Sequence, residues 1–233
     1  MEGVESFEIC DLRFRQSMIV TLDGPAGAGK STAARSLAKR LGFRFLDTGA
    51  MYRAVALAAV RRQLPWSDRA ALAELAGRLS IQLQADKILL DAEDVTQEIR
   101  TVAITTVTHY AADNPGVREK LVRMQRAAAG QDNVVTEGRD QGTVVFPDAE
   151  CKIFLTASSA ERARRRQADL AARGEVRSFE EVLEMQNLRD DRDSTRPVGP
   201  LKPAPDAVHV ITDGLTALQV VDHLEAIVRS RMK

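Results

Sequence analysis

A nine-residue glycine-rich segment, Gly24–Thr32, constrains the fold of this chain more than any other feature. It reads Gly-Pro-Ala-Gly-Ala-Gly-Lys-Ser-Thr and matches the pattern G-x-x-x-x-G-K-[ST]. An apolar run at 18–22 precedes it and a helical pattern at 33–41 follows it, which is the strand–loop–helix order that this pattern requires. Glycines let the backbone approach an anion closely, and the N-terminus of the following helix supplies N–H donors. The segment therefore predicts a loop that binds the phosphates of a nucleoside triphosphate.

Two side chains of this loop have predicted chemical roles. Lys30 is expected to bridge the β- and γ-phosphates, and the hydroxyl of Ser31 is expected to coordinate Mg²⁺. The candidate contacts to the triphosphate are Gly24, Pro25, Ala26, Gly27, Ala28, Gly29, Lys30, Ser31 and Thr32. Asp23, directly before the loop, has two interpretations: it organises water around the metal, or it caps the turn that leads into the loop.

Alternating strand and helix patterns predict an α/β fold. Apolar runs that suit buried strands lie at 18–23, 43–46, 133–136, 152–156 and 208–212. Helical patterns separate them, and this order is typical of a doubly wound parallel sheet with ligands at the carboxyl ends of its strands. Residues 66–112 differ, because short segments there alternate in the way of half-exposed antiparallel strands. We therefore expect a parallel α/β core that is interrupted by a small antiparallel insertion.

The composition limits which binding partners and which cellular compartment are expected. The 33 Lys and Arg residues balance the 33 Asp and Glu residues, which argues against a general nucleic-acid or membrane-surface binder. No apolar run approaches the ~18 residues of a membrane span, and residues 1–17 lack the pattern of a signal peptide. Cys10 and Cys151 stand apart from any metal-ligand spacing. These features favour a reduced, cytoplasmic protein.

The remaining motifs restrict the phosphate chemistry. The chain has no N-K-x-D segment for reading guanine, and no apolar run ending in D-E follows the loop. These absences disfavour a Ras-like switch and the helicase and transporter ATPases. Charged residues at predicted strand ends indicate a second anionic ligand instead. Kinases of several small acceptors, such as UMP, thymidylate, shikimate or dephospho-CoA, fit this pattern.

A series of motifs beyond the loop resembles one family. In chain order they are 23–32, 46–53, 98–100, 137–149, 189–196, 200–201 and 206–207. From about Ile19 onward the chain resembles the bacterial cytidylate kinases, which belong to the nucleoside monophosphate kinase group. The resemblance implies a P-loop NTPase-like three-layer fold with a helical lid at about 158–196 and an inserted monophosphate-binding subdomain at 66–112. The core would then be 18–65 and 113–233, with an N-terminal extension at 1–17.

The resemblance also implies a reaction. The chain would transfer the γ-phosphate of ATP to CMP or dCMP with Mg²⁺, as a cytoplasmic monomer of pyrimidine nucleotide metabolism. Because the acceptor oxygen is already anionic, no general base is needed, and positioning and electrostatics supply the catalysis.

Eight residues are implied as contacts to the acceptor. They are Thr48, Arg53, Arg118, Arg139, Asp140, Arg189, Asp193 and Arg196. By the family pattern Arg53, Arg139 and Arg189 converge on the CMP phosphate, and Arg196 lies near the same pocket. Paired guanidinium N–H groups fix the orientation of a phosphate as well as its charge.

The remaining acceptor contacts concern the nucleoside. Thr48 stands where the family has a hydroxyl that touches the acceptor, and Asp193 would hold the sugar hydroxyls. Asp140 and Arg118 match positions that read the cytosine edge, since a carboxylate can accept from the exocyclic N4 amine. His109 stands where the family often has a serine near the cytosine.

Three arginines of the predicted lid helix are candidate catalytic residues. Arg162, Arg165 and Arg166 share one face by their i, i+3, i+4 spacing. That face would cover the ATP phosphates and exclude water. The alternative interpretation is a solvated helix face, because helices commonly carry such charges.

Overall fold

The computed structural model of the protein describes residues 17–84, 87–172 and 174–232, to which all structural statements refer. Cys10 and nearly all of the predicted extension at 1–17 lie outside these residues. The strands are β1 (Ile19–Asp23), β2 (Arg44–Asp47), β3 (Ile81–Leu83), β4 (Ile88–Leu90), β5 (Glu93–Asp94), β6 (Val134–Gly138), β7 (Cys151–Thr156) and β8 (Val208–Ile211). The α-helices are α1 (Lys30–Leu41), α2 (Thr48–Arg61), α3 (Arg69–Arg78), α4 (Val102–Ala112), α5 (Pro115–Ala129), α6 (Ser159–Ala171), α7 (Phe179–Thr195) and α8 (Ala217–Arg231).

A five-stranded parallel sheet forms the centre of the molecule and confirms the α/β prediction. Its strand order is β2-β6-β1-β7-β8. Val20 and Leu22 of β1 are fully buried, as expected for a strand with helices on both faces. In the register of the sheet Asp23 lies beside Gly138, and Asp47 lies beside Glu137. The carboxyl ends of three neighbouring strands therefore bring polar residues to one edge.

A second sheet lies within the predicted insertion. The strands β3, β4 and β5 pair in antiparallel fashion, with Ile81 opposite Leu90. Their apolar side chains join a core with α2, α3, α4 and α5, in which Leu57, Ile99 and Leu121 are buried. The antiparallel strands are confirmed, while the boundaries of the insertion at 66–112 and of the lid stay predictions.

Two helices differ from the sequence-based expectation. No helix was expected at 102–112, yet α4 occupies these residues. The segment is rich in Val, Ile and Thr, whose β-branched side chains favour strands, and packing against α2 overrides this preference. For the other helix, the sequence pattern predicts a helix over about 178–189, whereas α7 continues to Thr195. Arg189 and Asp193 consequently lie one turn apart on the same helix.

Helix α8 permits a direct test of the central core. Leu224 is fully buried in the cluster around β1 and α1, whereas Leu218 on the same helix is 63% exposed. We expect Leu224→Ala to lower the free energy of unfolding in urea by about 2–5 kcal/mol, because it leaves a cavity. The matched variant Leu218→Ala should change it by less than about 0.5 kcal/mol. Equal losses in the two variants would contradict this packing.

Candidate active site

The glycine-rich loop leaves an open helix N-terminus at the edge of the sheet. It follows β1, and α1 begins at Lys30 after Gly29, which has a φ of 87° and no side-chain cap. Gly24 passes so close to β7 that a Cβ there would lie 1.9 Å from the carbonyl oxygen of Leu155, and its φ is 149°. Only glycine fits this position. The N–H groups of the first turn of α1 are thus free to bind an anion.

Lys30 is buried beside other cations. Its Nζ donates a hydrogen bond of 2.7 Å to the carbonyl oxygen of Pro25. Burial, followed by repulsion from Arg139 and Arg189, lowers the pKa of Lys30 to about 7, although the nearby Glu137 acts in the opposite direction. Without bound phosphates, the nearby carboxylates therefore do not offset the lowering of the Lys30 pKa by burial and by the two arginines.

Carboxylates at the ends of β1 and β6 contact the loop and the turn that follows β6. The hydroxyl of Ser31 donates to Oε1 of Glu137 at 2.6 Å, and Glu137 is buried. Asp23 accepts from the backbone N–H groups of Gln141 and Gly142, both at 2.8 Å. Burial raises the pKa of Asp23 to about 6. The carboxylate of Asp23 thus holds the turn after β6, and Glu137 is the acid that contacts Ser31.

Three predicted arginines lie together beyond the loop. Nη2 of Arg53 is 3.3 Å from Oδ1 of Asp47, while its buried Nε has no hydrogen-bond partner. Nε of Arg139 donates to Asp193 at 2.7 Å. Arg189 is exposed and has no hydrogen bond or ion pair within the described residues. Desolvation by its surroundings and then repulsion from Arg139 lower the pKa of Arg189 to about 10. Arg53 also lies close enough to Arg189 to lower its pKa, so the three positive charges are neighbours.

A buried ion pair lies near Arg139. Arg118 donates to Asp140, and both side chains are almost inaccessible to solvent. Nη2 of Arg196 lies 3.7 Å from Oδ1 of Asp140. Burial raises the pKa of Asp140, and the arginines around it counteract part of this effect. Nε of Arg118 and Nη2 of Arg196 are buried without hydrogen-bond partners, so donors are available beside this carboxylate.

The two other polar positions predicted from the sequence take different places. The hydroxyl of Thr48 donates to the carbonyl oxygen of Glu137 at 2.7 Å and is buried where β6 ends. His109 lies on α4 with Nδ1 2.8 Å from the carbonyl oxygen of Thr106, and its ring contacts Tyr110. The structure thus brings Thr48 to the carboxyl end of β6 and gives His109 local partners.

The three arginines of α6 have different surroundings. Arg162 is buried, and it donates to the carbonyl oxygens of Ala157 and Ala26 as well as to Asp190. The guanidinium group of Arg165 donates to the hydroxyl and carbonyl oxygens of Thr212 at 2.9 and 2.7 Å.

Arg166 has no hydrogen bond or ion pair within the described part of the chain. It lies close enough to Arg189 to lower the pKa of that residue. Of the three, Arg166 therefore has a guanidinium group free for a phosphate.

A cavity of about 170 Å³ opens beside the glycine-rich loop. Its walls are Ala28, Gly29, Thr32, Ala33, Arg165, Thr212, Leu215, Ala217 and Val220. These are mostly apolar side chains from α1 and α8, with the guanidinium group of Arg165 on one side. Apolar walls of this kind suit a nucleotide base. A nucleotide whose phosphates lie on the loop can place its base here.

Sequence reasoning did not single out Glu137, Asp190 or Gln186. A signal existed for Glu137, because a carboxylate directly after a predicted strand lies at the ligand edge of a parallel sheet. Asp190 lies within the motif at 189–196, but the motif does not reveal its contact with Arg162. No signal existed for Gln186, since its contact depends on how α7 packs against the loop.

These features define a P-loop kinase, in which a phosphate loop at the edge of a parallel sheet faces a second cluster of arginines. The cytidylate kinase family model matches residues 20–230. Cytidylate kinases from Rhodopirellula baltica and Pelotomaculum thermopropionicum are 52% and 50% identical to the chain. The matches cover 91% and 89% of this chain and 93% and 94% of those proteins. The chain belongs to the cytidylate kinase family.

A solved structure agrees with this fold. An uncharacterised protein from Eubacterium ventriosum superposes with a TM-score of 0.51 at 11% identity, over 92% of this chain and 99% of that one. At this identity the likeness concerns the architecture alone.

The low pKa of Lys30 predicts uptake of protons on nucleotide binding. At pH 8 the free amino group is largely neutral, and the phosphates of bound ATP favour its charged form. Titration calorimetry in buffers of different ionisation enthalpy should therefore show uptake of up to about one proton per site. Lys30→Arg should abolish this uptake, because its guanidinium group is charged at pH 8. Binding without proton uptake in the wild type would contradict the assigned environment.

Proposed function

We propose that the chain transfers the γ-phosphoryl group of ATP to an α-phosphate oxygen of CMP or dCMP, which yields ADP and CDP or dCDP. One observation carries this proposal: a continuous band of charge joins the phosphate loop to a buried carboxylate. Arg139 and Arg189 act on Lys30, and Arg139 also acts on Asp140, which pairs with Arg118. The end at Lys30 fits a triphosphate, and the end at Asp140 fits the polar edge of a base.

The cations between the two ends supply the catalysis. ATP and CMP together bring roughly six negative charges, which must be neutralised before the acceptor oxygen can approach the γ-phosphorus. Lys30 lies on the donor side, Arg53 and Arg139 on the acceptor side, and Arg166 and Arg189 between them. Fixed guanidinium groups stabilise the charge of the transition state with little reorganisation. Closure of α6 and α7 over this centre would exclude water, which is a competing acceptor.

The buried pair of Asp140 and Arg118 accounts for the choice of base. The carboxylate of Asp140 can accept a hydrogen bond from the N4 amine of cytosine. Uracil presents a carbonyl oxygen at that position, which the carboxylate would repel. Donors of Arg118 and Arg196 that lack partners can bind the remaining acceptor atoms of the base.

The proposal includes Mg²⁺ as the metal ion. The described residues contain no cluster of three His, Cys, Asp or Glu side chains that could hold a metal ion. Mg²⁺ needs only one or two protein oxygens when phosphates and water complete its shell. The hydroxyl of Ser31 and the carboxylate of Glu137 fit this requirement, since they meet beside the phosphate loop. When bound, the ion would neutralise charge on the β- and γ-phosphate oxygens.

We further propose that the protein acts as a cytoplasmic monomer without nucleic-acid or membrane partners. In support, the chain has a formal net charge of zero. Among residues 17–84, 87–172 and 174–232, no helix has the length and apolarity needed to cross a membrane.

Turnover with a panel of acceptors tests the proposed function. A coupled assay with Mg-ATP should show CMP and dCMP as substrates. The kcat/KM for UMP, dUMP and AMP should be lower by about tenfold or more, the discrimination expected from one base-edge contact. Comparable turnover of UMP or AMP would overturn the cytosine assignment.

Lys30→Ala should lose several orders of magnitude in turnover while it stays folded by circular dichroism.

The different surroundings of the lid arginines predict different losses. Arg166→Gln should lower kcat by about a hundredfold or more, because a cation that faces the transferred group is removed. The matched variant Arg164→Gln lies on the same helix, where Arg164 is exposed and paired with Glu161. It should keep kcat within about twofold, as expected for an exposed ion pair. If the two variants lost equal activity, the assignment of Arg166 would be wrong.

A further inference from the structure

One face of α7 reaches both halves of the proposed active site. Four residues at i, i+3, i+4 and i+7 lie on this face, namely Gln186, Arg189, Asp190 and Asp193. Arg196 ends the helix. The distance along the helix from Gln186 to Asp193 is two turns, or about 10 Å. The first of these residues contacts the phosphate loop and the last ones contact the acceptor side.

At the donor end, α7 holds the backbone of the phosphate loop. Nε2 of Gln186 donates to the carbonyl oxygen of Ala26 at 3.0 Å, and the side chain of Gln186 is buried. Arg162 donates to the same carbonyl oxygen at 3.0 Å and to Asp190 of α7 at 2.5 Å. The two donors fix the peptide that leads into Gly27, where a Cβ would lie 3.0 Å from Nε2 of Gln186.

At the acceptor end, the same helix holds two groups of the second site. Asp193 accepts from Nε of Arg139 at 2.7 Å. Arg196 faces the buried carboxylate of Asp140, and its Nε donates to the carbonyl oxygen of Gly199. Movement of α7 away from the loop would therefore also displace groups that contact the acceptor.

Apolar packing does little to hold α7 against the body of the protein. The cluster beneath it consists of Ala163, Leu170, Phe179, Val182 and Leu183, all from α6 and α7 themselves. The position of α7 on the core thus depends on polar contacts at its two ends. An element with few apolar contacts to its surroundings is ordered only weakly. A ligand that orders it lowers the ordering cost for the next ligand.

We propose that α7 couples the two substrates, so that phosphates on the loop strengthen acceptor binding through Gln186 and Arg162. Gln186 is then a positioning residue that acts through the carbonyl oxygen of Ala26. The coupling must be reciprocal, because each ligand changes the affinity of the other by the same factor. This inference rests on the proposed donor and acceptor.

Calorimetric titration of CMP with and without a saturating β,γ-imido analogue of ATP and Mg²⁺ tests the coupling. In the wild type, the analogue should lower the Kd of CMP by about fivefold or more. Gln186→Leu removes the N–H donor but keeps most of the volume. In this variant the factor should fall below about twofold. A residue that only stabilised the fold would not change this factor.

The matched control is Gln167→Leu, a change of the same type within the lid. Nε2 of Gln167 donates to the carbonyl oxygen of Arg177 and does not contact the loop. This variant should keep the wild-type factor. Asp190→Asn serves as a second test variant if Gln186→Leu does not fold, since it weakens the contact with Arg162 and should lower the factor as well.

The outcomes separate the two proposals. Independent binding of the two ligands in the wild type, or an unchanged factor in Gln186→Leu and Asp190→Asn, would overturn the coupling and leave the proposed function intact. If CMP did not bind to the wild type in either titration, the proposed acceptor would be wrong, and the coupling proposal would fail with it.

Discussion

The concentration of positive charge beside the phosphate loop is the constraint on which the rest of the structure depends. Arg139 and Arg189 lie close enough to Lys30 to lower its pKa, and Arg139 also lowers the pKa of Arg189. Carboxylates offset part of this repulsion, with Asp193 beside Arg139 and Asp47 beside Arg53. The charges that remain uncompensated lie where phosphates are expected. Under the proposed function, these cations are in place before the substrates bind, and the substrates would supply the missing anions.

The register of the parallel sheet determines where these charges stand. Asp23 lies beside Gly138 because β1 pairs with β6, and Asp47 lies beside Glu137 because β2 pairs with β6. The phosphate loop follows β1, whereas Arg139 and Asp140 follow β6. Neighbouring strands in a sheet are about 4.8 Å apart, so the donor and acceptor groups begin from adjacent positions. A shift of one residue in this register would separate Ser31 from Glu137 and Asp23 from the turn after β6.

Residues that belong to dense local motifs could be predicted from the sequence, and residues defined by tertiary contacts could not. The α/β alternation predicted the parallel sheet, which the structure confirms. The strand–loop–helix pattern predicted a loop that ends at Lys30 and Ser31, and α1 begins at Lys30, while the roles of the two side chains stay predictions. The helix α4 was missed because its β-branched residues favour strands in isolation. The contact between Gln186 and Ala26 joins positions 160 residues apart, and no local pattern reports it. Arg162, Arg165 and Arg166 looked equivalent for the same reason, since helical spacing gives a face but not the partners on that face.

The different environments of these three arginines also follow from physical cost. A buried guanidinium group must have its donors satisfied, and Arg162 meets this condition through Ala157, Ala26 and Asp190. If it turned towards a phosphate, it would leave Asp190 as a buried carboxylate without its cation, which is strongly unfavourable. Arg166 has no hydrogen bond or ion pair within the described residues, so it can bind a phosphate without losing an existing contact. Arg162 therefore maintains the shape of the phosphate loop, and Arg166 is available to the transferred phosphoryl group.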